Sequence, residues 1–398
     1  MTTYAPALSL VREPQRPALP VLQLGMGWFD QQAGGLNRYY ADLLAHLPGA
    51  GVAPRGLVCA DRRVEAQVPV TRFASPTDGL GHRWIAMRRH LAQELADTPP
   101  ALVAAHFALY ARPVLNLLED LPLVVHFHGP WADECRVEGS SRLARLARHT
   151  IERAVYRRAA RLITLSQAFK NLLVERYGVS PDHVDVVSGG VDVQRFSVGM
   201  SRGEARARLG WPTDRPIALA VRRLARRMGL ENLVEATDRV RRAVPDALVL
   251  IAGAGRLFQE LHERINAAGL CEHVKLLGFL PDAQLPLAYR AADVTVVPSV
   301  ALEGFGLIAA ESLAAGTPSL VTPVGGLPEV VAPLATSLVL GGSDVASLAG
   351  GLTAVLADPL SLPDSSRCRQ YARRHFAWGQ VAWRVAEVYR QAAAGGGA

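Results

Sequence analysis

Lysine is almost absent from this chain: Lys170 and Lys275 are the only two among 398 residues, and arginine carries nearly all of the positive charge. Cysteine is scarce as well. Cys59, Cys135, Cys271 and Cys368 lie far apart, with no C-x-x-C pair and no metal-ligand clustering, which fits a reduced compartment and argues against a disulfide scaffold. No uninterrupted apolar run reaches membrane-spanning length, and the first residues lack the charged-then-apolar pattern of a secretion signal. A cytoplasmic protein is therefore expected. Aromatic residues make up 6% of the chain and line no basic stripe, so nucleic acid is not an expected partner. What is present is a globular composition, 49% apolar and 20% charged, with a net charge of +7. That excess favours anionic ligands, nucleotide phosphates or an anionic lipid surface among them.

The length calls for two domains. After a Pro-rich start, Val21–Met26 reads as a strand that runs into the Gly34-Gly35 loop and an amphipathic helix bearing Leu36, Tyr39, Tyr40, Leu43, Leu44 and Leu47. A strand, glycine loop and helix in this order cradle phosphate in α/β sheets, although a glycine pair also simply tightens a turn. Gly56–Ala60, Ala101–Ala105 and Leu123–Phe127 follow as strands. The last opens into H-F-H-G-P-W, where alternation puts His126 and His128 on one face at the strand's carboxyl end. A histidine in such a place is either hydrogen-bonded structure or part of a site, and the neighbouring Gly129, Glu134 and Glu138 favour the site.

Ser141–Arg161 is expected to form a helix with an apolar stripe at Leu143, Leu146, Ala147, Ile151, Ala154 and Val155. Seven arginines and the lone Glu152 cover the rest, as a solvated outer face or as a dock for anionic lipid. Leu162–Leu165 and Val184–Val187 complete the first set of strands, and Ser197–Gly203 reads as a linker. A second βα alternation then starts at Ile217. Its strands are Ile217–Val221, Ala247–Ile251, Val274–Leu277, Val294–Val297 and Ser319–Thr322, and helices over 344–357 and 368–391 close the chain. Two doubly wound parallel sheets follow from that alternation.

The stretch with the strongest chemistry is VTVVPSVALEGFGLIAAESLAA, from Val294 to Ala315. It is a buried strand, a glycine-punctuated loop, and a helix beginning near Gly306 or Leu307. Helix N-termini suit negative charge, and Gly304 and Gly306 permit close approach of a ligand to backbone. Glu303 and Glu311, eight residues apart, are placed to accept hydrogen bonds from sugar or ribose hydroxyls. By contrast, Ile251-Ala252-Gly253-Ala254-Gly255 lacks the third glycine of a dinucleotide fingerprint, since Phe258 holds that place, and a nicotinamide cofactor is not expected.

These pieces occur in a fixed order. Gly34-Gly35 is followed by HFHG at 126–129, SGGVDVQRF, Arg223-Leu224 with Gly229, GFLP at 278–281, ADVTVVPS at 292–299, E-G-F-G…E, and GGLPE at 325–329. In that order the chain resembles the retaining glycosyltransferases of family four along nearly its whole length. The resemblance implies a GT-B fold. An acceptor-binding Rossmann-like domain would span 18–197 and a nucleotide-sugar domain 204–375, across a cleft, with 376–392 crossing back to the first domain. It implies transfer of a sugar from a nucleotide diphosphate sugar, with retained configuration, to a hydroxyl acceptor, lipid-linked or saccharide, without a cofactor. It also implies independence of metal, and the sequence has no Asp-x-Asp pair.

Carried over residue by residue, His128 lies beside the reacting sugar and Glu303 near its hydroxyls, as the catalytic pair. Glu311 holds the ribose, Arg223 the diphosphate, and Gly34 and Gly35 close over it. Gly304, Phe305, Gly306 and Leu307 complete the donor loop. A peripheral place on the inner face of the membrane, through the Arg-rich helix, fits this class. Two positions depart from the pattern: Gly189 stands for an asparagine and Met228 for a lysine. A thioether cannot neutralise a diphosphate, so Arg227, or else Arg226, is expected to take the lysine's part. A nucleotide-sugar 2-epimerase of the same fold, or a member weakened at the donor site, is the alternative.

Overall fold

The computed structural model describes residues 17–137 and 141–395, and the side chains of 135–137 are likewise not described. Glu138, Cys135 and the extreme termini lie outside that description. Two parallel sheets form the frame. The first has seven strands in the order β3-β2-β1-β4-β5-β6-β7 and the second five in the order β10-β9-β8-β11-β12. The seven are β1 (Leu19–Leu24), β2 (Val52–Cys59), β3 (Val70–Ala74), β4 (Leu102–Ala105), β5 (Leu123–Phe127), β6 (Arg161–Thr164) and β7 (Val184–Val186). The five are β8 (Ile217–Val221), β9 (Leu248–Ala252), β10 (Val274–Gly278), β11 (Val294–Val297) and β12 (Ser319–Val321). Central strands such as β4 and β11 are buried at every position because helices cover both faces. The strand order reverses at β1/β4 and at β8/β11, and ligands of open α/β sheets bind outside the carboxyl ends at such points.

Among the helices, α1 (Gly35–His46) follows the first glycine loop, α2 (Trp131–Val137) follows β5, and α3 (Arg142–Arg158) is the Arg-rich element. Helix α4 (Gln167–Tyr177) starts at the capping hydroxyl of Ser166, which accepts from the Phe169 N–H. Helix α5 (Leu307–Ala315) follows the donor-type loop and α6 (Trp378–Gly395) ends the chain.

Several sequence expectations need correction. The edge strand β3 went unread; only Phe73 and Ala74 of its five residues are buried, so it has no full apolar face to signal it. Helix α3 stops at Arg158, and Arg161 begins β6, where it pairs with Asp185 at 2.7 Å. Leu143, Leu146 and Ala147 are not a packed stripe but exposed, because the helix joins the first-domain core only from Ile151 onward, through Val155 and Tyr156. Glu152, expected on the solvated face, is fully buried. Gly203 lies inside the helix Arg202–Leu209, which opens with a Ser201/Glu204 capping box, so the linker is shorter than 197–203. The single helix expected over 368–391 is two, Ser365–Phe376 and α6, broken at the extended Ala377.

That break turns the chain back. Val381, Ala382, Val385, Ala386, Val388 and Tyr389 of α6 pack among Val21, Tyr39, Leu43, Val124 and Ile163 of the first domain. At the crossing, Val191 forms a parallel bridge with Ala377, and the Val191 N–H donates to Phe376 O at 2.7 Å.

Candidate functional site

At the end of β8, Arg222 turns inward and is buried. Its Nη2 donates to Glu303 Oε2 at 2.5 Å, to Ser299 Oγ at 2.6 Å and to the Met228 sulfur at 2.7 Å. The Ser299 hydroxyl also donates to Glu303 Oε2 at 3.0 Å. Burial pushes the Glu303 carboxyl up, but the Arg222 guanidinium, with Arg227 and Ser299, more than offsets this and holds it below its ordinary range. Glu303 is therefore an anchored carboxylate. Its backbone is fixed too: the Gly326 N–H donates to Glu303 O at 2.9 Å, and a Cβ on Gly325 (φ 56°) would sit 1.9 Å from that oxygen. Only glycine at 325 lets the two loops meet. The preceding Leu302 is held at φ 53°, a left-handed strain of order 1 kcal/mol concentrated at this loop.

Glu311 lies one turn inside α5, where the Tyr289 hydroxyl donates to it at 2.9 Å. Burial raises its pKa against the opposing pull of Arg38 and Tyr289. Arg38 comes from α1 of the other domain. Its Nε is 3.9 Å from Glu311 Oε1, and its guanidinium pairs with Asp282, which Arg195 also grips at 2.7 Å. Between the two glutamates, Gly304, Phe305, Gly306 and Leu307 line the same cavity. A Cβ on Gly189 would strike Phe305 at 2.7 Å and Leu307 at 2.9 Å, so the absence of a side chain at 189 lets these two donor-loop residues pack there.

The cluster of four arginines separates cleanly. Arg223 borders the cavity but is exposed, and the buried member is its neighbour Arg222. Arg226 points outward to Glu231 at 3.3 Å and Glu260 at 3.1 Å, away from the cleft. Arg227 faces the cleft, donates to Leu302 O at 3.0 Å, and lies 3.5 Å from Glu134 of the first domain. Met228 is buried, its sulfur against Arg222. The geometry thus offers Arg222, Arg223 and Arg227 as cations at the cavity, and not Arg226.

On the opposite wall, His106, His126 and His128 stack at the carboxyl ends of β4 and β5. The ring planes lie within 13–21° of parallel, and centroids are 4.1 Å apart for the closest pair. Burial pushes His106 and His126 well below the ordinary imidazole range and His128 to about 3, so all three are neutral. Their ligating nitrogens lie within 4.8 Å of one another. His106 Nδ1 and His128 Nε2 face each other at 3.2 Å, a hydrogen-bond distance, so these two nitrogens are spent on one another rather than aimed at a shared metal ion. The Gly34-Gly35 loop borders the cavity, and across the cleft the Leu307 methyl lies 4.0 Å from where a Gly35 Cβ would stand.

Sequence reasoning missed Arg222, His106, Arg38 and Glu152. His106 had a usable signal, since it follows β4 as His128 follows β5. Glu152 had none: it accepts from the Trp131 and Ala132 N–H groups at 2.8 and 3.3 Å and from the Tyr177 and Tyr156 hydroxyls at 2.9 and 3.3 Å. It serves the unpaired N–H groups that open α2, a helix too short to announce itself. Burial drives its carboxyl up to about 7 against those four donors.

Both walls enclose one cavity of about 800 Å³ between the domains. The domains are clasped around it. Glu329 reaches across to accept from the Gln167 and Ala168 N–H groups at 2.7 and 2.9 Å, at the open end of α4. A family model described as Glycosyltransferase Family 4 matches residues 33–195, and one described as Glycosyl transferases group 1 matches 201–375. The chain is 33% identical to D-inositol 3-phosphate glycosyltransferase 1 of Catenulispora acidiphila, covering 95% of this chain and 94% of that one. It is 30% identical to a glycogen synthase of Mycobacterium tuberculosis, over 80% of this chain and 76% of the relative. The chain belongs to the group 1 glycosyltransferases. Its fold is GT-B: Anabaena HepE, solved with UDP and glucose, superposes with a TM-score of 0.77 at 20% identity, over 94% of this chain and all of the other. As a glycosyltransferase of this group it moves a sugar from a nucleotide sugar.

Proposed function

We propose that the enzyme transfers a hexose from a UDP- or GDP-linked donor to a hydroxyl acceptor, with retention of configuration and without a divalent metal. The carrying observation is the convergence of Arg222, Arg223 and Arg227 with the Glu303–Leu307 loop on one wall of the cavity, opposite His128. In this reading the donor's diphosphate meets Arg223 and Arg227, its ribose meets Glu311, and the sugar lies between Glu303 and His128 under the Gly34-Gly35 loop.

As the glycosidic bond breaks, its electrons pass to the diphosphate and the sugar becomes oxocarbenium-like. Guanidinium groups stabilise the first. The acceptor oxygen bonds to the same face of the sugar carbon, and its proton passes to the departing phosphate oxygen. Glu303, tied to Arg222 and Ser299, acts as an oriented hydrogen-bond acceptor for sugar hydroxyls rather than as a nucleophile.

The acceptor wall supplies aromatic faces from Tyr39, Phe107 and Trp131 with the amides of Gln32 and Asn37, which suits a hydroxyl-rich ring. A relative named for D-inositol 3-phosphate fits an acceptor of that kind. A lipid-linked acceptor is a second reading, favoured by exposed Leu143 (81%) and Leu146 (62%) beside Arg142 and Arg145, an apolar and cationic mixture suited to an anionic membrane. That reading puts the enzyme at the inner face of the membrane.

Mass spectrometry of products from a panel of nucleotide sugars and acceptors, with chelator present, tests the proposal. Glycosylated acceptor with released nucleotide diphosphate is expected. Nucleotide and free sugar formed equally well without any acceptor would favour the epimerase reading instead.

A further inference from the structure

The stacked histidines form a hydrogen-bond chain whose polarity starts at Gln23. This residue lies on β1 and is wholly buried. Its Oε1 is 2.9 Å from His106 Nε2. A carbonyl oxygen only accepts, so the His106 proton sits on Nε2. Because burial keeps His106 neutral, its Nδ1 is bare. That nitrogen is 3.2 Å from His128 Nε2, which must then be the donor. His128 is neutral as well, so its remaining ring nitrogen, Nδ1, carries a lone pair.

The amide that sets this order is itself held. Gln23 Nε2 donates to the Tyr389 hydroxyl at 3.0 Å, and that hydroxyl lies 2.7 Å from His126 Nε2 and 3.3 Å from Gln23 Oε1. Tyr389 sits on α6, at the far end of the chain. Were the Gln23 amide turned over, its NH2 would face His106, each proton along the chain would move, and His128 would present an N–H instead. One buried amide therefore chooses whether the histidine at the cavity accepts or donates.

We propose that Gln23 is a positioning residue for glycosyl transfer: through His106 it holds His128 with its proton on Nε2, leaving Nδ1 as a hydrogen-bond acceptor for a hydroxyl of the substrate sugar. This rests on His128 standing beside the reacting sugar. A substrate hydroxyl that finds an acceptor already oriented needs no tautomer change as the transition state forms. With its own proton committed to His126 Nε2, the Tyr389 hydroxyl can only accept from Gln23 and so anchors the amide with its nitrogen on that side.

The test uses the full chain, with histidine nitrogen NMR as the direct readout and His128→Asn to assign the signals. In wild type, His128 is expected to show a protonated Nε2 and a bare Nδ1. Gln23→Met removes the acceptor and should lower kcat about tenfold, the effect of one oriented hydrogen bond, with nucleotide diphosphate binding unchanged. Unchanged binding also shows that the variant has folded. Tyr389→Phe, a milder change, should give mixed His128 tautomers and a smaller fall in kcat. A wild-type spectrum with the His128 proton on Nδ1 overturns the proposal. So does wild-type kcat in Gln23→Met when His128→Asn is impaired. Wild-type turnover in His128→Asn instead overturns the placement of His128, and the role of Gln23 with it.

Discussion

Arg227 and Glu134 meet across the cleft, Nη2 to Oε1 at 3.5 Å, joining the wall that faces the donor to the wall that faces the acceptor. A guanidinium at this point balances the Glu134 carboxylate while facing the cavity, within reach of an anion bound there. Arg226, one residue earlier, has no such access.

The first prediction separates these neighbours. Arg227→Ala should weaken nucleotide diphosphate binding roughly ten- to a hundredfold, the effect of one charge-assisted hydrogen bond, and Arg226→Ala should leave it unchanged. Calorimetric titration of UDP and GDP reads both. Equal affinity in wild type and Arg227→Ala would show that Arg227 is not the replacement for the lysine.

The two glutamates should fail differently. Glu311→Gln is expected to raise the donor KM, because its carboxylate is placed for the ribose and not for the reacting sugar. Glu303→Gln should lower kcat and also the melting temperature. It removes the anionic partner of buried Arg222, a loss that costs about 3 kcal/mol or more. Steady-state kinetics with thermal melts distinguish the two, and unchanged kcat in Glu303→Gln would remove that residue from the reacting centre.

Glu152 predicts a pH dependence of stability. Its folded pKa, about 7, lies above the ordinary 4.5, so the fold favours the protonated carboxyl. That contribution is complete below pH 4.5 and lost as pH rises through 7, amounting to about 3 kcal/mol. Glu152→Gln should therefore be more stable relative to wild type at pH 8 than at pH 5. Parallel denaturation curves with the same offset at both values would contradict the shift.

For the membrane reading, Arg142, Arg145, Leu143 and Leu146 are the residues to change. Arg148 is not, since it stacks on Trp131 at 5.0 Å. Arg142→Ala with Arg145→Ala should cut partitioning to anionic vesicles roughly tenfold or more, at about 1 kcal/mol per arginine, and added salt should do the same to wild type. Co-sedimentation measures it. Equal partitioning leaves the helix a solvated face.

The parallel sheets and the place of nearly every strand along the chain were legible because both-face burial writes continuous apolar runs between turn residues. The cavity wall at Glu303–Leu307 was legible for the same reason, being hung directly between β11 and α5. What escaped reading depended on contacts between distant parts of the chain. A pattern match selects Arg223, which borders the cavity, but it does not signal the buried neighbour Arg222, whose role depends on Glu303 and Ser299 about eighty residues on. Glu152 looks like an ordinary solvated acid within a basic helix until α2 and Tyr177 arrive around it. The turn at Ala377 is invisible because alanine is the strongest helix former, and the break there goes with the docking of α6 on the first domain.

That turn has a mechanical consequence. The polypeptide passes between the domains twice, near Val191 and again at Ala377, and the two passages are hydrogen-bonded side by side. Two paired passages make the joint a pin rather than a tether. Swinging about the line through Val191 and Ala377 leaves that bond intact, while sliding or twisting one body against the other would break it. Any change in the angle between the domains that keeps this bond must turn about that line, to which the Glu303 loop and His128 each hold a fixed relation.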